Sequence, residues 1–229
     1  MKTTDVQAAI FDFDYTLADS SRGAVECINF ALKETGLAEV SAEAACRTIG
    51  LSLKDTFLTL AGEREAQRCD EFVRLFVQRA DEVMANLTVL YESVPATVEA
   101  LRQSGLRLGI VSTKFRYRIK EILERETVLQ FFQVVIGGED VEQHKPDPQG
   151  LFKAIERLQC SPASTVYVGD SVADAEVAKR AAVPFIAVLS GVTARERFHD
   201  YEAIEVLENL SQLPGLLRRF RHVPGLANG

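Results

Sequence analysis

No stretch of this 229-residue sequence approaches the ~20 consecutive apolar residues that a membrane helix needs. Positive charge is short as well: the formal net charge is −7. That argues against a nucleic-acid backbone or an anionic membrane as the main partner, since both favour a basic surface. It leaves a small anionic substrate open, because a local pocket and a bound cation override the global field. The four cysteines, Cys27, Cys46, Cys69 and Cys160, include no C-x-x-C pair and no accompanying histidine pattern. They read as reduced thiols, which fits a reducing cytoplasm. The start, MKTTDVQAAIFDFD, lacks the layout of a signal peptide. There is no internal repeat and no low-complexity tract. Long unexplained apolar surface is also missing, so a monomer is expected. What remains is ordinary globular usage, 47% hydrophobic and 26% charged. The length suits one large domain, or one domain with a small insert.

Short apolar runs alternate with helical patterns. The runs are Ala8 to Phe11, Leu106 to Val111, Val134 to Ile136, Val166 to Val168 and Phe185 to Leu189. Each is rich in Val, Ile or Leu without strict alternation, as in strands covered on both faces. Between them, Ile119, Ile122 and Leu123 mark one amphipathic helix, and Leu151, Phe152, Ile155 and Leu158 another. The second is expected to start with Asp147 as N-cap and Pro148 at the first helical position. Alternating strands and helices predict an α/β fold with a doubly wound parallel sheet.

One region breaks the alternation. From about Ser20 to Asn86 there is helical pattern only. Val25, Ile28 and Leu32 form one stripe, closed by Gly36. Phe72, Val73, Phe76, Val77, Ala80, Val83 and Met84 form a longer one. The expectation is a helical cap domain over residues 20–86 inserted into a core of residues 1–19 and 87–229, with linkers near Leu17–Ser20 and Leu87–Ser93. Residues Arg218 to Gly229, with Arg218, Arg219 and Arg221, read as a frayed terminus.

In an open parallel sheet, ligands bind beyond the carboxyl ends of the strands. After the first run come Asp12, Asp14 and Thr16. The second is followed by Ser112, Thr113 and Lys114. The loop after the third carries Lys145 in His144-Lys-Pro-Asp-Pro, and the fourth leads into Gly169, Asp170, Ser171 and Asp174. Several carboxylates, hydroxyls and a lysine thus meet at one edge. That set suits phosphoryl transfer, in which catalysis is mainly positioning and charge neutralisation. Mg2+ takes carboxylate and phosphate oxygens. A carboxylate can also serve as nucleophile, and a lysine offsets the accumulated negative charge.

D-x-D-x-T alone is a weak signal, but four motifs in order at strand ends are a strong one. Asp12-Phe-Asp14-Tyr-Thr16, Val-Ser112-Thr, Lys145-Pro-Asp-Pro and Gly-Asp170-Ser-Val-Ala-Asp174 resemble the four motifs of the haloacid dehalogenase superfamily. The helical insert resembles the cap of its phosphoglycolate phosphatases, related pyrophosphatases and β-phosphoglucomutases. The resemblance implies a Rossmann-like core and a Mg2+-dependent phosphatase acting on a small phosphorylated metabolite through an aspartyl-phosphate. Asp12 would be the nucleophile. Asp14 would be the general acid and then base, its carbonyl also facing Mg2+. Thr16 would hold the motif's geometry, with Ser112 and the amide of Thr113 on the phosphoryl oxygens. Lys145 would bridge Asp12 and the phosphate, and Asp170 and Asp174 would complete the metal set with Asp12 and Asp14. In the cap, Arg47 is the candidate contact to a substrate anion.

Two positions depart from the pattern: Tyr15 stands where the family most often has Gly, and Thr113 where close relatives often have Asn. Alternatives are a phosphomutase of the β-phosphoglucomutase type and a catalytically silent binding protein on the same scaffold. A dehalogenase fits less well, because such enzymes generally lack an acid at Asp14. Lys54 invites the idea of a cap lysine forming a Schiff base, with nothing else in its support. His144, His199 and His222 carry no assigned role.

Overall fold

The computed structural model describes residues 6–221. The elements are β1 (Ala8–Phe11), β2 (Ala18–Asp19), α1 (Ser21–Glu34), α2 (Ala42–Cys46), α3 (Leu53–Ala61), α4 (Cys69–Leu87), β3 (Val89–Leu90), α5 (Val94–Gln103), β4 (Arg107–Val111), α6 (Arg116–Arg125), β5 (Val134–Ile136), α7 (Gln149–Arg157), β6 (Thr165–Gly169), α8 (Val172–Arg180), β7 (Phe185–Val188), β8 (Glu205–Leu207) and α9 (Leu213–Arg221). Short 3-10 turns link several of them. Among the described residues, six parallel strands form one sheet in the order β5-β4-β1-β6-β7-β8.

Period-2 geometry sends alternate side chains of β1 to opposite faces. Ala9 and Phe11 join one hydrophobic core with Val98, Ile119, Ile122 and Leu217, from α5, α6 and α9. Ala8 and Ile10 join another with Leu151, Ile155, Ala175 and Ala178, from α7 and α8. Burial on both faces is why these strands read as unbroken apolar runs. Strand β1 is the switch point: the chain continues to β4 on one side and later to β6 on the other, so a crevice opens at its carboxyl end.

Helices α1 to α4 close a third core of their own, with Ile28, Leu32, Phe57, Phe72, Phe76 and Met84. Phe57 and Phe72 are fully buried, their ring centroids 5.0 Å apart. Truncating either to Ala costs about 3–5 kcal/mol by the usual behaviour of buried aromatics.

Several expectations are corrected. The two segments expected as linkers pair with each other: β2 and β3 form an antiparallel ribbon, with Ala18 opposite Leu90 and Asp19 opposite Val89. Strand β8 was not anticipated. It is three residues long, pairs only with β7 and exposes Glu205, so it leaves no apolar run to read. Helix α7 begins one residue late, with Pro148 rather than Asp147 as N-cap. The Asp147 carboxylate still accepts the Gln149 N–H, at 2.9 Å. Arg218 and Arg219 lie on α9, not in a frayed tail, while residues 222–229 are outside the described part. All four cysteines are free. Among the described residues no helix is long and apolar enough to cross a membrane.

Candidate active site

Asp12 is the first residue past β1. Its N–H donates to Val168 O at 2.9 Å, its Oδ1 accepts the Phe13 N–H at 2.7 Å, and its side chain is 3% exposed. The Lys145 ammonium lies 2.9 Å from Asp12 Oδ1 and 2.6 Å from Asp174 Oδ1. Burial pushes the Asp12 carboxyl up to about 7. The Lys145 charge pulls it back down, while Asp174 and Asp14 add to the rise. Burial by itself disfavours the Lys145 ammonium, but Asp12 and Asp174 outweigh it and hold the lysine well above its ordinary value.

Asp174 sits in the first turn of α8, in a reciprocal cap with Ser171. Its Oδ1 accepts from Lys145 and from the Tyr167 hydroxyl at 2.9 Å; its Oδ2 accepts from the Ser171 hydroxyl at 2.5 Å and the Ser171 N–H at 3.2 Å. This close approach requires Gly169. A Cβ there would lie 2.5 Å from the Asp174 side chain. Asp170 is the first residue past the same strand. Thr16 donates to its Oδ1 at 3.1 Å, and Gly191 packs so tightly that a Cβ would lie 1.9 Å from its Oδ2. Burial, then Asp174 and Asp12, hold the Asp170 carboxyl well above the ordinary range.

Among the described residues, Asp12, Asp170 and Asp174 place one oxygen each within 4.8 Å of one another. Among the described residues, Lys145 is the one ammonium beside these three buried carboxylates, and Asp12 and Asp170 keep their protons to higher pH as a result. That donor set fits a hard divalent cation such as Mg2+. The Asp14 side chain turns the other way. Its Oδ1 accepts from the Ser20 hydroxyl and lies 3.0 Å from the Lys114 ammonium. Just after the second acid, Tyr15 takes φ +60°, the left-handed region. A non-glycine residue there costs about 1–2 kcal/mol, which accounts for the preference for Gly at this turn. The turn is held by the Tyr15 N–H on Ala18 O at 2.7 Å and by the Ser190 hydroxyl on Tyr15 O at 2.5 Å.

Ser112 and Thr113 follow β4, facing the same crevice. The Ser112 hydroxyl accepts the Lys114 N–H at 3.3 Å, and the Thr113 hydroxyl reaches Gly50 O of the insert at 3.3 Å. Above Asp14 lies a cavity of about 80 Å³ between the sheet and the insert. Thr113, Lys114 and Arg118 line it from the sheet side, and residues Thr48 to Leu51 from the insert. Arg47 does not reach it. It caps the end of α2, and its guanidinium runs back one turn to Glu43, with 70% of the side chain exposed. Lys54 is also exposed.

The structure therefore gathers Asp12, Asp14, Thr16, Ser112, Thr113, Lys145, Asp170 and Asp174, and leaves Arg47 outside. It puts Lys114, noted after the second apolar run, beside Asp14, and adds Ser20, Tyr167 and the Ser190–Gly191 turn. The last follows β7, so the strand-end rule extended to one more strand finds it. Tyr167 lies inside β6, where sequence gives no polar signal of function.

The haloacid dehalogenase-like hydrolase family matches residues 9–188. Pyrophosphatase PpaX of Bacillus mycoides (strain KBAB4) is 31% identical over 214 residues, covering 93% of this chain and 98% of that protein. Phosphoglycolate phosphatase of Escherichia coli (strain K12) is 33% identical over 211 residues, covering 83% and 84%. A crystal structure of a haloacid dehalogenase-like hydrolase from Bacteroides fragilis superposes with a TM-score of 0.88 at 40% identity, covering 91% of this chain and 99% of that one.

Proposed function

The chain belongs to the haloacid dehalogenase-like hydrolase family and is a phosphatase; we propose that it uses Mg2+ to hydrolyse a small phosphorylated metabolite through an aspartyl-phosphate on Asp12. The observation that carries this reading is the division between its two neighbouring acids. Asp12 faces Lys145 and the carboxylates Asp170 and Asp174, whereas Asp14 faces the cavity with Lys114 and Ser20.

An Asp12 oxygen attacks phosphorus, and the leaving oxygen takes its proton from Asp14. Charge on the phosphoryl oxygens meets the Lys145 ammonium, the Ser112 hydroxyl and the Thr113 N–H. Water then gives a proton to Asp14 and attacks phosphorus, which restores the Asp12 carboxylate and frees phosphate. Asp12, Asp170 and the Asp14 carbonyl would hold Mg2+, which supplies neutralisation of the phosphoryl and carboxylate charge. Asp174, already accepting from Lys145, Tyr167 and Ser171, first fixes Lys145 and then completes that set. The acid at Asp14 favours phosphoryl transfer over C–halogen cleavage.

We further propose that residues 20–86 form a cap domain that opens and closes over a core of residues 1–19 and 87–229. The four free thiols support a cytoplasmic setting. We take the chain to act as a monomer without nucleic acid or membrane. The test is phosphate release from a panel of phosphoglycolate, pyrophosphate, nucleoside monophosphates and sugar phosphates. Release is expected to need Mg2+, to stop with chelator, and to fall at least about 1,000-fold in Asp12→Asn. Release that survives both the chelator and the substitution would sink the mechanism.

A further inference from the structure

We propose that Lys114 is a specificity-determining residue that selects phosphate compounds whose leaving group carries an anionic oxygen of its own. The inference rests on the phosphatase reading above and narrows its substrate class.

The leaving group has to lie beside Asp14, and the space there is the cavity of about 80 Å³ under the insert. Its insert wall is largely apolar, with Ile28, Leu51, Phe76 and Met84. Two cations reach it. Arg118 is already committed: its Nε and Nη2 donate to Asp81 Oδ1 at 3.0 and 2.6 Å, and Nη2 also donates to Val77 O at 3.0 Å. Its place is structural, joining α6 to α4.

Lys114 differs. Its side chain is 6% exposed, and its ammonium lies 3.0 Å from Asp14 Oδ1. Asp14 takes one of three ammonium donors, so an incoming anion can use the others. Asp14 does not depend on Lys114 alone, because the Ser20 hydroxyl donates to the same oxygen. The backbone of Lys114 is anchored through its N–H on Ser112 Oγ at 3.3 Å, while the four-carbon stem leaves the ammonium free to turn. An anionic head group in this apolar enclosure gains a charge-assisted hydrogen bond. A neutral one leaves Lys114 on Asp14 and gains nothing. A hydrogen bond to a charged group corresponds to about 10- to 100-fold in kcat/KM.

The experiment compares three substrates in wild type, Lys114→Met and Lys114→Arg. Phosphoglycolate offers a carboxylate and pyrophosphate a phosphate. The third, 2-hydroxyethyl phosphate, replaces the carboxylate of phosphoglycolate by a neutral hydroxymethyl group. The readout is kcat/KM for each anionic compound divided by that for the neutral ester within one preparation, so the folded fraction cancels. Lys114→Met is expected to lower at least one of these ratios about 10- to 100-fold, and Lys114→Arg to keep most of it. The ratio that falls further identifies the head group, carboxylate or phosphate. An equal loss on all three substrates overturns the inference and leaves the phosphatase reading standing. If wild type releases phosphate from none of these three but does so from a sugar phosphate or a nucleoside monophosphate, the inference falls and the phosphatase reading stands.

Discussion

A nucleophilic carboxylate has to be ionised, and burial works against that at Asp12. With no cation other than Lys145 beside it, its pKa rises from 3.8 to about 7. The consequence for stability has a definite sign. Below pH 4 the group is protonated in both folded and unfolded chains, so it adds no pH dependence. Between 4 and 7 the folded protein holds a proton that the unfolded chain has lost, and stability falls with pH by up to about 1.4 kcal/mol per unit. Above 7 the full cost is present. In metal-free protein, wild type should therefore lose stability relative to Asp12→Asn as pH rises from 4 to 7, measured by urea unfolding of both. A flat difference would show that Asp12 is not the group at fault. Mg2+ at about 100 times its Kd should return roughly 2.7 kcal/mol. The strand-end rule located this charge cluster from sequence, because Asp12, Ser112 and Asp170 each follow an apolar run directly. It could not show which carboxylate faces Lys145 and which faces Lys114, since that depends on how the chain leaves β1 and on side-chain direction there. Arg47 stands close to Thr48–Leu51, which do reach the cavity, but a helix end sends its side chain back to Glu43.

At the level of elements, the central strands were readable because burial on both faces leaves continuous apolar runs. The β2–β3 ribbon and β8 were not, because two- and three-residue strands carry no period of their own. The same limit hid the contact between α4 and α6. Here Arg118 reaches Asp81 and Val77 O, the Tyr117 hydroxyl also meets Asp81, and Arg125 donates to Ala85 O and Thr88 O at the end of α4. Helical N–H donors run out at the end of α4, where Arg125 supplies donors to the Ala85 and Thr88 carbonyls. Arg118 is 4% exposed, while the Asp81 side chain is 48% exposed and can rehydrate. Arg118→Met should therefore cost about 1–2 kcal/mol, mostly from the lost charge-assisted bonds. Asp81→Asn should cost less than Arg118→Met. The comparison is made by thermal unfolding, and equal melting temperatures for wild type and Arg118→Met would remove this contact as a tie between the two layers.

For the whole molecule, the sheet and the insert each close a core of their own, and the space between them holds the proposed leaving-group site. In the proposed cap motion the two bodies separate in each turnover, and the ties that would open are the weak polar ones. The Thr113–Gly50 hydrogen bond at 3.3 Å joins the two walls of the cavity, whereas the β2–β3 ribbon holds both connecting segments and would serve as the hinge. Closure over a bound phosphate would bring Gly50 and its neighbours onto Thr113 and exclude bulk water from Asp14. Hydrogen exchange reads this directly, because amide protection reports local opening. Mg2+ with beryllium trifluoride, a phosphoryl mimic on a carboxylate, should slow exchange of the Thr48–Leu51 amides, while those of Ala9 and Ile10 in β1 stay unchanged. Thr113→Val should weaken that protection without abolishing it. Identical exchange in the Thr48–Leu51 segment with and without the mimic would mean the insert does not move with the chemistry, and substrate would then have to reach Asp14 by another route.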